Sequence, residues 1–266
     1  MYFRFMKQQR YYYLIRIQYL GFRFHGWQKQ PTHKTVEGMI QRTLNYVFEG
    51  NMNFKILGAG RTDAMVSATH AAFELFVDHP LEDIPVFMDL FNKNLPPDIR
   101  ATDIKMVDEH FNIIQHAKQK EYVYLFSHGK KNHPFAAPFI ANIVDTLNIE
   151  QMKAGAKLFE GTHNFKAYTV RPSKKTQFER TIDRCEILPN DLHRASFFPD
   201  ESFALHVHGA GFLRYQIRMI AGALIALGKG ELSLNDIERS LQANSNVNLE
   251  FVAPASGLSL NNLEFE

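Results

Sequence analysis

The sequence predicts an α+β protein with a largely antiparallel sheet. Three observations carry that prediction. Period-two apolar segments recur in both halves, capped segments with helical apolar spacing fall between them, and the order is hairpin-like.

The first strand is YYYLIRIQY, residues 11–19, with Tyr13, Ile15, Ile17 and Tyr19 on one side and Leu14, Arg16 and Gln18 on the other. A loop, LGFRFHGWQKQP, follows and carries the sole tryptophan, Trp27. Thr35 is placed to cap a helix whose apolar positions Val36, Ile40, Leu44, Val47 and Phe48 keep helical spacing until Gly50. A second strand leads into GAGRTDAMVSATH, residues 58–70, and a third leaves it at AAFELFV. Ile84 to Phe91 reads as a short helix ended before Pro96 and Pro97.

In the second half EYVYLFS, residues 121–127, reads as a strand, and Asn148 with Gln151 as a capping box for a helix ending near Gly161. CEILP and FALHVHG are strands, and Leu213 to Leu227 is a helix closed by Gly228. Ser233 and Asp236 cap a last helix through Leu241. The basic segment 164–180, with Pro172, reads as a mobile surface loop. No low-complexity linker interrupts the chain, so residues 1–105 and 106–266 are expected to be two halves of one compact unit.

Composition sets limits. At 266 residues, 45% of them hydrophobic, the chain can bury a sizeable core. A formal charge of +2 identifies no partner by itself. The single cysteine, Cys185, excludes an internal disulfide framework and reads as a buried apolar residue. The N-terminus lacks an apolar leader core, and the longest apolar run, Met219 to Leu227, is too short to span a membrane. A cytoplasmic protein without a membrane span is expected. His206 and His208 share a strand face but lack a third ligand at suitable spacing, so no metal site is expected.

The candidate site is Arg61-Thr62-Asp63. Asp and Thr in a turn hydrogen-bond nearby backbone, with arginine pointing to water; alternatively, a guanidinium keeps a positioned carboxylate ionised. These residues alone leave both readings open.

The wider pattern is more specific. GAGRTDA, then NKNLPPDI (92–99), KEYVYLF (120–126), GFLRYQIRMIAGALIALGKG (211–230) and APASGLSL (253–260) follow in an order and spacing that resemble the tRNA pseudouridine synthase A family. FHGWQKQP and the GTHNF segment at 161–165 extend the resemblance over nearly the whole chain. The resemblance implies a pseudouridine synthase fold, two similar α/β halves with a joined sheet and a central cleft. It implies an isomerase that breaks the N1 glycosidic bond of a uridine, turns the bound uracil and rejoins it through C5. Such a reaction needs no cofactor. The implied substrate is tRNA, at the anticodon stem-loop, and the implied assembly is a homodimer.

Residue by residue, the resemblance makes Asp63 the essential carboxylate, as nucleophile or base; Tyr122 a stacking and proton-handling residue; and Arg218 the partner of Asp63. It assigns Arg61 to holding the RNA. Lys118, Lys120, Lys130 and Lys131 flank the tyrosine strand, and Arg171, Lys174, Lys175 and Arg180 lie in the 164–180 segment; together they form the expected phosphate contacts. Arg214 reads as a surface arginine on the same helix face as Arg218.

Three positions depart from the family pattern. Met65 stands where it has glycine, Ser67 where it has histidine, and Ile114 where it has arginine. Three other readings follow: a divergent paralogue acting on another uridine or another RNA, an RNA-binding protein that kept the fold and lost turnover, and a nucleoside hydrolase that would release free base.

Overall fold

The computed structural model describes residues 10–247, 249 and 251–265. Residues 1–9, on which the expectation about a leader segment rests, lie outside the described residues.

Alternating apolar residues form β1 (Tyr11–Tyr19), and Thr35 caps α1 (Val36–Val47) by accepting from the Gly38 N–H. β2 (Phe54–Gly58) and β3 (Ser67–Val77) bracket the candidate turn. Asp83 caps α2 (Ile84–Asn94), which leads to β4 (Ile99–Val107) and β5 (Ala117–His128). Short β6 (Ala141–Ile143) precedes α3 (Ile149–Lys157), which Asn148 caps through the Gln151 N–H. Then come β7 (Gly161–Asn164), β8 (Glu179–Ile182), β9 (Arg184–Pro189) and β10 (Phe203–Gly209). α4 (Gln216–Lys229), α5 (Leu234–Ser240) with a full Ser233/Asp236 capping box, and β11 (Leu258–Phe265) complete the order.

The expected α+β class is what the chain adopts. A nine-stranded sheet runs β4-β1-β3-β11-β5-β10-β9, with β2 added to β3 and β6 to β5. Its pairings are antiparallel except β11 with β3 and β5 with β6. β11 is the join: Leu260 lies opposite Ala68 of β3 and Tyr122 of β5.

Two apolar clusters cover the same face of this sheet. One packs α1 and α2, through Ile40, Leu44, Phe87 and Phe91, on Ile15, Ile17, Phe73 and Leu75. The other packs α3, α4 and α5, through Met152, Leu224 and Ile237, on Tyr124, Phe126, Leu205 and Val207. Tyr122 touches both clusters, so it sits where the two helical layers part.

Several expectations need correction. α4 starts at Gln216, not Leu213, because Tyr215 takes a left-handed φ of 67° that no helix accommodates. It runs past Gly228 and closes at Gly230, whose φ of 78° suits glycine. The 164–180 segment is not a surface loop throughout: Phe165 and Tyr168 are fully buried, and the Tyr168 hydroxyl hydrogen-bonds Ser240 Oγ at 2.6 Å. Its ends belong to the β7–β8 ribbon, leaving mainly residues 171–177 in solvent. Cys185 is buried as expected, and burial pushes its thiol far up, keeping it protonated.

Candidate active site

The turn between β2 and β3 is clamped from the loop after β1. The Trp27 N–H donates to the Thr62 carbonyl at 3.1 Å, and the Met65 N–H donates to the Phe24 carbonyl at 3.0 Å. The Tyr19 hydroxyl and Thr62 Oγ1 share a 2.9 Å hydrogen bond. Gly26 makes this approach feasible: its φ is 86°, and a Cβ there would stand 2.6 Å from the Thr62 carbonyl oxygen. FHGWQ is therefore the buttress of the turn, a role the sequence hides because its contacts lie far along the chain.

The turn itself closes by the Val66 N–H donating to the Asp63 carbonyl at 3.2 Å, with Met65 at its third position in the left-handed region, φ 66°. Such turns favour glycine there, and an ordinary side chain costs roughly 1–2 kcal/mol. Met65 thus keeps the conformation that a glycine would take and adds apolar packing against the second-half core. Ser67 is also explained, since its hydroxyl accepts from the Gly21 N–H at 2.9 Å. Ile114 is exposed, and the structure gives it no partner role.

The turn lines a cleft of about 770 Å³ between the two helical layers. Tyr122 contributes from β5, Phe212 to Ile217 from the approach to α4, and His25, Gln28, Gln30 and His33 from the first loop. Among the described residues lining it, Asp63 is the only carboxylate, while Arg61, Lys120 and Arg214 are cationic.

Asp63 and Arg218 come from elements far apart in sequence and meet here. Arg218 Nη1 lies 3.9 Å from Asp63 Oδ2, with side chains 14% and 24% exposed. The guanidinium is fixed by its Nε donating to the Ala253 carbonyl at 2.8 Å, while the Ala253 N–H returns a bond to the Arg218 carbonyl. Burial pushes the Asp63 carboxyl above its ordinary value, and Arg218 and then Arg214 pull it back only in part.

Arg214 is exposed, as its spacing suggests, but it stands before α4 rather than on a helix face. The break at Tyr215 turns it into the cleft, and the Tyr215 ring carries the guanidinium carbons of both Arg214 and Arg218, at 5.4 and 5.0 Å from its centroid.

Tyr122 packs edge-on against Phe212, with centroids 5.4 Å apart and planes at 88°. Burial, reinforced by the nearby Asp63 charge, leaves its hydroxyl pushed up to about 12. It carries its proton at neutral pH.

The basic residues divide. Arg61 is exposed on the cleft wall. Lys120 Nζ donates to the Ala59 carbonyl at 3.1 Å, and burial lowers its pKa, so it braces the start of the turn. Lys118 follows on the same face of β5. Arg171, Lys174 and Lys175 are exposed on a segment tethered to the cleft, because Thr169 Oγ1 donates to the Arg214 carbonyl at 3.0 Å. Lys130 is not brought to them: it lies past the other end of β5, paired with Asp200 at 3.2 Å.

Comparison with known proteins follows the same segments. A family model described as tRNA pseudouridine synthase matches residues 15–115 and 156–266. Asp63 and Arg218 fall inside the matched stretches, and Tyr122 between them. A protein named tRNA pseudouridine synthase A 2 from Bacillus anthracis is 32% identical over 254 residues, 95% of this chain and 99% of that protein. Proteins named tRNA pseudouridine synthase A from Aquifex aeolicus and a Thermoanaerobacter species are 31% and 30% identical, over 93% of this chain and 97% and 96% of theirs.

Proposed function

The chain belongs to the tRNA pseudouridine synthase family, whose members are isomerases, and from that premise we propose that it converts a uridine of the tRNA anticodon stem-loop to pseudouridine with Asp63 at the centre of the chemistry. The observation that carries this reading is the single carboxylate of the cleft, held 3.9 Å from Arg218 beside a proton-bearing Tyr122.

Uridine to pseudouridine is atom-neutral: the N1–C1′ bond breaks, a C5–C1′ bond forms, C5 loses a proton and N1 gains one. Asp63 attacks the nucleoside or removes a proton, Arg218 orients it, and Tyr122 stacks on the extruded uracil, its hydroxyl placed to relay the proton that leaves C5 so that it returns to its starting form as N1 is protonated. The cleft has room for one nucleotide. Arg61, Arg214 and the 171–175 segment meet the phosphates, with Lys118 and Lys120 behind them. Two halves meeting near residue 105 supply the two walls, and a homodimer presents two such clefts to one tRNA. Among the described residues no helix is long and apolar enough to cross a membrane, in keeping with work in the cytoplasm.

The experiment is single-nucleotide mapping of pseudouridine in a full-length tRNA transcript incubated with the purified chain, together with assay for free uracil. Pseudouridine confined to the anticodon stem-loop, with no uracil released, is the expected result. Modification in another arm would refute the position, and released uracil would make the protein a hydrolase.

Arg214 gives a second expectation. The working form of Asp63 is ionised, and its folded pKa is raised by burial, so activity falls on the acid side at a pH above the usual carboxylate value. Arg214→Gln removes a cation that opposes burial. The acid limb of kcat/KM is expected to move to higher pH, and an unmoved limb would separate Arg214 from the field at Asp63.

A further inference from the structure

The histidine pair that lacks a third donor in the sequence acquires one in the sheet. β10 runs antiparallel to β5 with His208 opposite Glu121 and His206 opposite Val123. Residues two apart on a strand share a face, so both imidazoles and the Glu121 carboxyl project from the face opposite Tyr122. Glu121 Oε1 lies 2.8 Å from His206 Nδ1 and 3.4 Å from His208 Nε2. The three donor atoms all lie within 4.8 Å of one another.

That spacing has chemical meaning. Ligands about 2.1 Å from a tetrahedral zinc ion stand roughly 3.4 Å apart; the Glu121–His208 edge already has that separation, the Glu121–His206 edge needs to open by about half an ångström, and the edge between the two imidazoles lies within 4.8 Å. His208 Nε2 is shielded from solvent and makes no hydrogen bond, an arrangement that costs free energy unless something else uses the nitrogen. The side chains of Glu121, His206 and His208 are 15%, 12% and 22% exposed, so water reaches the cluster from one side only.

The surroundings orient the carboxylate. A bulge in β11 between Leu260 and Asn262 brings Asn261 inward, and its Nδ2 donates to Glu121 Oε2 at 2.8 Å. The Asn261 carbonyl in turn bonds His70 Nδ1 at 2.6 Å. Arg184, opposite His208 on β9, is engaged by Glu186, so this neighbouring cation has its own counter-charge.

We propose that Glu121, His206 and His208 bind one divalent transition-metal ion of the zinc class, completed by water, which ties β5 to β10 on the face of the sheet away from Asp63. Two imidazole nitrogens and one carboxylate oxygen suit zinc and its neighbours, whereas magnesium and calcium take oxygen shells. The ion holds the strand that carries Tyr122 in register and takes no part in the isomerisation. The site stands on geometry alone and is independent of the reaction assigned to the cleft.

The test uses the full chain, free of any affinity tag and stripped by chelator. Cobalt(II) is titrated while its visible absorption is followed, then displaced by zinc, and melting is recorded with and without zinc. One cobalt per chain, displacement by zinc and a higher melting temperature with zinc are expected. Glu121→Gln and His208→Gln keep hydrogen-bonding shape but remove a ligand, and each is expected to weaken cobalt binding at least about 100-fold; Asn261→Ala, one layer out, about 10-fold. Absence of a stoichiometric cobalt spectrum in the wild-type chain would overturn the proposal whatever the variants do. Equal affinity in wild type and His208→Gln would overturn it too, by locating the ion elsewhere.

Discussion

Asp63→Asn is expected to lower the rate of pseudouridine formation by at least about 10³-fold, the range in which loss of a positioned acid–base group or nucleophile falls. Asparagine keeps the size of the side chain and a carbonyl oxygen toward Arg218, but it neither attacks a sugar nor accepts a proton. The turn survives the change because it is held by backbone groups, from Trp27 to Thr62 and from Met65 to Phe24, rather than by the carboxylate. Arg218 keeps its bond to the Ala253 carbonyl. Affinity for tRNA is therefore expected to hold or rise, since a negative charge leaves a cleft whose other charged lining residues, Arg61, Lys120 and Arg214, are cations. Single-turnover kinetics, tRNA binding and thermal melting on one preparation separate these outcomes. Turnover within tenfold of wild type would remove Asp63 from the chemistry.

Tyr122→Phe is expected to lower kcat by about 10²-fold or more with little change in KM. The ring stays against Phe212 and between the two apolar clusters, so stacking and packing persist. Only the hydroxyl goes. With its pKa pushed up to about 12 it carries its proton near neutral pH. Tyr122→Ala removes the stacking face as well and is expected to weaken substrate binding by a further ~1–3 kcal/mol. Wild-type kcat in the phenylalanine variant would restrict Tyr122 to packing.

Much of this arrangement is legible in the sequence, for reasons that differ by element. β1, the stretch of β3 from Ala71 to Val77, and β5 read as strands because each lays alternate apolar residues on one core, although the middle of each is covered on the other face as well, and the capped helices announce their starts through Thr35, Asn148 and Ser233. β11 does not, because its LSLNNLEF mixes an asparagine pair with a bulge that breaks the period. The start of α4 is hidden too, since nothing in LRYQIR signals a left-handed tyrosine. That one backbone angle is also why Arg214 reads as a helix-surface residue when it enters the cleft.

The site divides along the same line. Asp63, Tyr122 and Arg218 stand out by motif; the fold brings Asp63 and Tyr122 to one cleft and sets Arg218 of α4 3.9 Å from the Asp63 carboxylate. The Trp27 and Tyr19 clamp, the brace from Lys120 and the Glu121 partner of the histidines arise from register between distant strands, which spacing along one chain does not encode. Met65 is the instructive departure. A substitution that reads as a loss of glycine freedom proves to preserve the turn, with the strain offset by packing.

Isomerisation through C5 expels the hydrogen on that carbon, which hydrolysis and binding do not. The most direct measurement supplies tRNA tritiated at uracil C5 and follows release of tritium to water alongside free uracil, for the wild-type chain and for Asp63→Asn. Tritium released by the wild type without uracil, and none released by the variant, is the expected result. No release from a folded, tRNA-binding wild-type chain, or undiminished release from Asp63→Asn, would contradict a pseudouridine synthase working through Asp63.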